Sequence, residues 1–524
     1  MAFTLSVAEV IAADTSGLLS KHESWERVPL AEIASILNGA PFDSALFNSN
    51  EGMPLVRIRD VLSGQTSTYY TGSYEDTYVV EPSDLLIGMD GDFNCGYWKA
   101  QRSVLNQRVC KITPNEFFYD KRLLAYALPG YLAAINANTP SVTVKHLSSK
   151  TIGEINLPLP PRSEQTRIVE KLEELLSDLD AGVSELKAAQ KKLVQYRQSL
   201  LKAAVEGALT AEWRKTHQPE ETGAQLLARI LKQRRANWEA KQLAKFQQQG
   251  KTSPKGWQDK YPEPVKPDTT DLPELPEGWV YSHLEAFIPS DKTGTKTGPF
   301  GSLLKKHEHK KTGVPVIGIE NIDRMEFISG SKIHVSPEKA LELRDYDLLP
   351  GDVVISRSGT VGEVCVIPDD LGDARFSTNI MRVRLESRVI DPKFFCLLLN
   401  GSPSVLSQIR ELCSGSTRDF LNTEILKTLI FPFPPILEQT AILDLLKLNL
   451  DGVRAQNYAL HTSLKQSAAQ RKNILRAAFS GQLVPQDPND EPASVLLERI
   501  RNERQTAKIP AKRSRRRAGK ELSR

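Results

Sequence analysis

The side chains best suited by type to do chemistry are a histidine–glutamate cluster, a glycine–lysine–threonine step, five cysteines and several groups of lysine and arginine. His307-Glu308-His309 is the densest grouping of metal-ligating residues. Lys305, Lys306, Lys310 and Lys311 surround it, and that much positive charge suits a solvated basic loop better than a cation site. The eight histidines contain no His-x-x-x-His pair. Gly250-Lys251-Thr252 has the ending of a phosphate-binding loop, but Lys245 stands where the first glycine belongs and no strand pattern precedes it. No Gly-x-Gly-x-x-Gly follows a strand, and no Asn/Asp-Pro-Pro-aromatic motif of the amino-methyltransferase kind occurs. Cys95, Cys110, Cys365, Cys396 and Cys413 are scattered without Cys-x-x-Cys spacing, so neither structural zinc nor a disulfide framework is expected. The expected metal complement is none. A serine or cysteine triad is a spatial arrangement and leaves no spacing signature, so catalysis stays open as an alternative.

What remains is chemistry of binding. Arg57, Arg59, Lys99, Arg102 and Arg108 lie in the first part of the chain, with Tyr69, Tyr70, Tyr74 and Tyr78 nearby. Lys292, Lys296, Lys305, Lys306 and Lys310 form a basic stretch further on, and Arg357 and Arg418 complete the candidate set. Lysine and arginine can neutralise phosphates, and an arginine can read a base edge in the major groove. Ordinary surface charge would look the same. The net charge of the 524 residues is only +4, and residues 508–524 alone carry eight Lys/Arg against one Glu, a net +7. The remainder is therefore about −3, and any nucleic-acid contact must use local patches. The tail Lys512-Arg513-Ser514-Arg515-Arg516-Arg517 reads as a disordered arm able to add salt-sensitive affinity.

The elements that must position these residues are set by an internal repeat. Leu157-Pro158-Leu159-Pro160-Pro161-Arg162-Ser163-Glu164-Gln165-Thr166 returns as Phe431-Pro432-Phe433-Pro434-Pro435-Ile436-Leu437-Glu438-Gln439-Thr440. Glu164 maps to Glu438 and Gly207 to Gly481, both by 274 residues, so no gap separates the two ends of the block. The prolines stop a strand. After them Leu172, Leu179, Leu186, Leu193 and Leu200 recur every seven residues, which predicts a heptad seam. The second copy keeps its seam at Leu446, Val453, Leu460 and Ile474 but weakens at Asn457, Ser467 and Arg471. Gly207 and Gly481 sit where a helix end favours a left-handed residue. Two helices of such length, each apolar along one stripe, predict that they pack on one another.

Each helix is preceded by a mixed α/β pattern of about 150 residues. Trp25 and Trp279 open the two units, Asp84 and Asp352 each lead into an apolar strand, and helical patterns cover residues 121–136 and 392–412. The expected organisation is a first globular domain with its lead-in at 1–163, a long helix at 164–209, and an amphipathic helix at 210–250. A proline-rich linker at 251–275, a second domain at 276–437, a second long helix at 438–483 and a helix with basic tail at 484–524 follow. Thr222 to Gln225 predicts a capping box, and six prolines between 251 and 276 predict a semi-stiff spacer. No run of apolar residues is long enough for a membrane span, and the N-terminus lacks a signal-peptide pattern, so a cytoplasmic location is expected.

The paired Pro-Pro-x-x-Glu-Gln blocks, the equal heptad helices and the Phe479-Ser480-Gly481-Gln482-Leu483 ending resemble the specificity subunit of Type I restriction-modification enzymes. The first copy departs from that ending, with Glu206-Gly207-Ala208-Leu209. The resemblance implies two target-recognition domains of mixed α+β fold, each reading half of a bipartite double-stranded DNA site. It implies two antiparallel helices that set the spacer and dock two modification (methyltransferase) subunits, which restriction (translocase/nuclease) subunits join. It implies no cofactor for this chain, with S-adenosylmethionine, ATP and Mg belonging to the partners, and no catalytic residue. A coiled-coil scaffold that never touches DNA, or an unrecognised methyltransferase or nuclease, are the alternatives.

Overall fold

The computed structural model describes residues 5–139, 145–289, 293–299, 303–323, 325–357, 362–413 and 421–507. Two compact units divide the chain: residues 1–187 with 461–524, and residues 188–460. Each contains one globular domain, part of both long helices, and the segment that follows one helix end.

The two domains are built alike. In the first, strand Glu26–Pro29 pairs antiparallel with Asn156–Leu159; in the second, Val280–His283 pairs antiparallel with Ile430–Phe433. These two-stranded clasps join the first strand of a domain to its last. They tolerate Pro158 and Pro432 because a ribbon of two strands leaves each an open edge. Beside each clasp lies a four-stranded antiparallel sheet of matching order. It runs Ala34–Asn38, Val109–Pro114, Leu85–Gly88, Cys95–Tyr97 in the first domain, and Thr295–Thr297, Ile380–Val383, Val353–Ser356, Val364–Val366 in the second. The aspartates that lead into the central strands close their turns: Asp84 Oδ2 accepts from Glu81 N at 2.8 Å and Asp352 Oδ2 from Leu349 N at 2.8 Å. A mixed sheet accompanies each, of five short strands in the first domain and three in the second, with parallel pairs at Leu55–Val104 and Val316–Arg375. A helix capped by aspartate then covers the core, Lys121–Ala137 from Asp120 and Pro392–Gly401 from Asp391.

The long helices, or rods, span Arg162–Val205 and Ile436–Phe479, 44 residues each, or about 66 Å at 1.5 Å per residue. Each begins directly after its proline pair, two residues earlier than 164 and 438. In the first unit Ile168, Leu172 and Leu176 share a core with Ile474, Ala478 and Phe479, and Arg471 Nη1 meets Asp180 Oδ1 at 2.6 Å. In the second, Leu193, Leu200 and Ala204 share a core with Ile442, Leu446 and Val453. The start of one rod thus lies with the end of the other in both units, so they run antiparallel. Fully buried leucines such as Leu172 contribute about 1.5–3 kcal/mol each. The seam thins at its middle, where Leu179, Leu186 and Leu460 are only half-buried, as the polar residues there predict.

Four local features differ from the sequence pattern or add to it. The lead-in is a short helix, Val7–Ala12, closed by a Ser6–Glu9 capping box and buried through Val7 and Val10. The strand Val109–Pro114 starts after a turn in which Val109 N donates to Asn106 O. The pattern over 392–412 forms two helices, Pro392–Gly401 and Pro403–Cys413, because Pro403 has no N–H to continue the ladder. The proline-rich stretch is not a bare spacer. Trp257 stacks on Trp238 with ring centres 5.8 Å apart, and Tyr261 meets the same indole edge-on at 5.5 Å. Prolines removed backbone donors, but the aromatic residues between them found a helix to cover.

Candidate nucleic-acid interface

The repeated Glu-Gln pair, which the sequence presents as a helix start, is buried chemistry. Gln165 is fully buried, as is Gln439. Gln165 Oε1 accepts from Asp120 N at 2.8 Å while its Nε2 donates to Phe118 O and Pro160 O, both at 3.0 Å. Gln439 repeats this with Asp391 N at 2.9 Å, Val389 O at 3.3 Å and Pro434 O at 3.1 Å. Each glutamine therefore fixes a domain's covering helix to the start of a rod. Each glutamate fixes the domain's opening tryptophan: Trp25 Nε1 donates to Glu164 and Trp279 Nε1 to Glu438, both at 2.9 Å.

The second carboxylate oxygen does something further. Glu438 Oε1 accepts from Thr210 Oγ1 at 2.7 Å and from Arg214 Nη1 at 2.5 Å, residues that lie just past the end of the first rod. Glu164 Oε1 accepts from Gln486 Nε2, just past the end of the second. The start of each rod is thus bonded to the end of the other. Gly207 and Gly481 make the turn there at φ +74° and +72°. A Cβ at Gly207 would come within 2.7 Å of Pro276, and one at Gly481 within 2.6 Å of His22. Burial raises the Glu164 carboxyl above its usual range, opposed by the hydrogen bonds from Trp25 and Gln486. The offset of 274 shared by Glu164, Gln165 and the glycines was the signal for this site; spacing could not tell that the pair faced inward.

Most of the basic residues are held on loops of each domain, and Lys296 lies in the edge strand Thr295–Thr297. Arg57, Arg59 and Lys99 gather at one turn: Asp60 Oδ2 accepts from Arg57 N at 3.0 Å, Arg59 Nη2 donates to Thr68 Oγ1 at 3.2 Å, and Lys99 N donates to Gly64 O at 3.0 Å. Arg59 and Lys99 are exposed there. Arg102 is instead held by Asp76 at 3.2 Å and Glu81 at 3.4 Å. Arg108 lies against Asp90 at 3.1 Å, which also meets His146 Nδ1 at 2.6 Å. Of the nearby tyrosines, Tyr70 is buried against Phe42 and Phe47, while Tyr74 is exposed.

In the second domain Lys305, Lys306 and Lys310 are exposed on one loop. Glu308 accepts from Lys305 N at 2.6 Å, and Lys310 pairs backbone with His334. The hydrogen bond and charge of Lys339 hold the Glu308 carboxyl below its usual range, so this cluster is ion-paired loop. Among the described residues no group of His, Cys, Asp and Glu could hold a metal ion. Lys296 sits over the Tyr346 ring at 5.1 Å, with Asp345 at 3.7 Å. Arg357 is only 5% exposed, and Nη1 donates to Thr378 O at 3.3 Å. Lys292, Arg418, the loop around Gly359 and the tail from 508 lie outside the described residues. The packing set Leu172, Leu193, Leu200, Leu446, Val453 and Ile474 is buried along the rods.

Known proteins share this architecture. Residues 22–190 and 276–453 match the family described as "Type I restriction modification DNA specificity domain". The chain is 32% identical to the Type I restriction enzyme EcoBI specificity subunit of Escherichia coli, over 96% of this chain and 97% of that one. It is 20% identical to the StySPI specificity subunit of Salmonella potsdam, over 92% and 96%. A chain solved in work on complex assembly and conformational transition of the type I R-M system shares the fold, with a TM-score of 0.58 at 18% identity, covering 88% of this chain and 99% of that one.

Proposed function

The chain belongs to the Type I restriction-modification specificity family, a family of DNA sequence recognition, and from that premise we propose that its two domains each read one half of a bipartite duplex target. The rods act as the ruler for the unspecified spacer and dock the methyltransferase subunits, two in number, which the restriction subunits join. The chain itself catalyses nothing. S-adenosylmethionine, ATP and Mg serve the partner subunits, and the complex works in the cytoplasm.

The observation that carries this reading is the antiparallel pair of rods, with a like-built domain clasped to the start of each through Trp25–Glu164 and Trp279–Glu438. Two readers on a shared stiff element suit a linear target in two parts, since equivalent faces of duplex recur about every 34–36 Å. Exposed Arg59, Lys99, Lys305, Lys306 and Lys310 supply phosphate contacts on the two domains, and loop side chains supply the base contacts.

The test is to delete one heptad from the thin middle of each rod and select binding sites from random duplex DNA. The expected sites keep both half-sequences and change the spacer between them. Unchanged spacers would refute the ruler, and loss of all selection by a folded protein would refute the two readers.

A further inference from the structure

The helix Gly223–Gln248 begins as part of the second unit's core, through Leu226 and Ile230. Arg234 anchors it by donating to Glu285 O and to Ile288 O, the latter at 2.6 Å. Beyond Ile230 none of its residues is buried. It nevertheless continues for 18 residues to Gln248, and the proline-rich strap then returns along it. Trp238, Trp257, Tyr261 and Phe246 form the clasp between helix and strap, and Arg235 lies 5.5 Å from the Tyr261 ring centre. Arg235 is also ion-paired with Glu239 and Glu263.

This arm concentrates charge. Residues 223–267 hold ten Lys/Arg against three Asp/Glu, a net +7. With the +7 of residues 508–524, the overall +4 leaves −10 for everything else. Lys232, Lys241, Lys245, Lys251, Lys255 and Lys266 are all exposed, and none forms an ion pair among the described residues. The acids among them are Glu239, Asp259 and Glu263, and Arg235 takes up the first and the last. The repeat has the same feature in its other half. Leu226-Leu227-Ala228-Arg229-Ile230 returns as Leu496-Leu497-Glu498-Arg499-Ile500, and in each half the segment after it is the basic one. The same place in the repeated sequence carries positive charge twice, with no similarity of sequence between the two segments.

We propose that the arm, helix Gly223–Gln248 with its strap, is a contact surface for the phosphodiester backbone of duplex DNA, independent of base sequence. The occupant is a polyanion with regularly spaced charge, because the lysines line helix and strap alike, and the cleft between the two, lined mainly by apolar residues such as Leu227, Leu231, Pro264 and Val265, takes in only Lys266 of the six. The aromatic clasp holds them as a fixed array, so their counterions are released on contact without first ordering the segment. This rests on the reading that the chain binds DNA. It adds a surface that neither domain's base reading requires.

The experiment uses the full chain and the variant Lys241→Glu/Lys245→Glu/Lys251→Glu/Lys255→Glu. A second variant is Lys241→Gln/Lys245→Gln/Lys251→Gln/Lys255→Gln. Affinity is measured by fluorescence anisotropy against salt, for a duplex that the wild type selects from random sequence and for a scrambled duplex. All four positions are exposed, so unfolding midpoints should match the wild type. The expected result is weaker binding to both duplexes by the same factor, about tenfold or more for the charge-reversed variant. The slope of log affinity on log salt should become shallower by about 0.9 for each phosphate no longer neutralised. An unchanged affinity and slope would overturn the proposal. So would a loss confined to the selected duplex, or a loss only of methyltransferase-subunit binding. Wild-type protein that binds neither duplex would instead refute the DNA-binding reading itself.

Discussion

Replacing Glu438 by alanine should destabilise the protein more than the matched replacement of Glu164, although the two occupy equivalent places in the repeat. Glu438 is 1% exposed and accepts from three donors, the Trp279 indole, the Thr210 hydroxyl and the Arg214 guanidinium. Removing one partner of a buried ion pair costs about 3–5 kcal/mol. Arg214 keeps 20% of its side chain exposed, so solvent recovers part of that charge and the pair falls toward the low end. The stranded indole N–H adds about 1–3 kcal/mol. The sum expected for Glu438→Ala is about 4–6 kcal/mol. Glu164 loses only neutral donors, Trp25 and Gln486, so Glu164→Ala should cost about 1–3 kcal/mol. Urea unfolding followed by tryptophan fluorescence measures both, with hydrogen exchange to localise the change, since two units need not unfold together. Protection around residues 206–214 should fall in Glu438→Ala alone, and around 482–490 in Glu164→Ala alone. Equal costs, or a Glu438→Ala cost below about 1 kcal/mol, would show that the carboxylate does not tie the rod ends together.

Glu164 also carries a pH signature. Burial raises the folded-state pKa of Glu164 above its ordinary 4.5, so between the two values the folded state holds the proton more tightly than the unfolded chain. Stability from this group therefore falls as pH climbs through that window and is recovered as pH drops below it. Asp120 and Asp490 act in the opposite sense. Burial alone would raise the Asp120 carboxyl, but hydrogen bonds from Arg122 and the charge of Arg162 hold it low, and Arg167 does the same for Asp490. The difference between wild type and Glu164→Gln, followed by urea midpoints from about pH 4 to about pH 7, isolates the Glu164 contribution; superimposable profiles would count against it. For the DNA surface, Arg59→Ala and Lys99→Ala should leave stability within about 0.5 kcal/mol and reduce the salt slope by about 1 each. Arg357→Ala should instead lower the unfolding midpoint, because that side chain is buried against the backbone of Thr378. Binding loss without destabilisation at Arg357 would reverse that assignment.

The sequence by itself determined the duplication, the rods and their seam. Those rest on periodicity and on turn chemistry, which act between residues close in the chain: leucines seven apart, prolines ahead of a helix, a glycine behind it. It also showed where the seam would be thin, since Asn457, Ser467 and Arg471 cannot bury. Only the tertiary structure decided which side chains turn inward. Arg57, Arg59 and Lys99 are brought to one turn, where Arg59 lies 3.8 Å from Asp60, while Arg102 and Arg108 pair with carboxylates elsewhere in the domain and Arg357 is buried. In the sequence all six are simply basic, because burial and ion pairing depend on residues brought together from distant positions. The proline-rich stretch had the composition of a spacer, yet Trp257 and Tyr261 lie on Trp238, since aromatic burial outweighs what prolines withhold from the backbone. The Glu-Gln pair was legible as a repeat and illegible as a bond. Its partners, Trp25 and Gln486 for Glu164, lie 139 and 322 residues away, and no local pattern reaches that far.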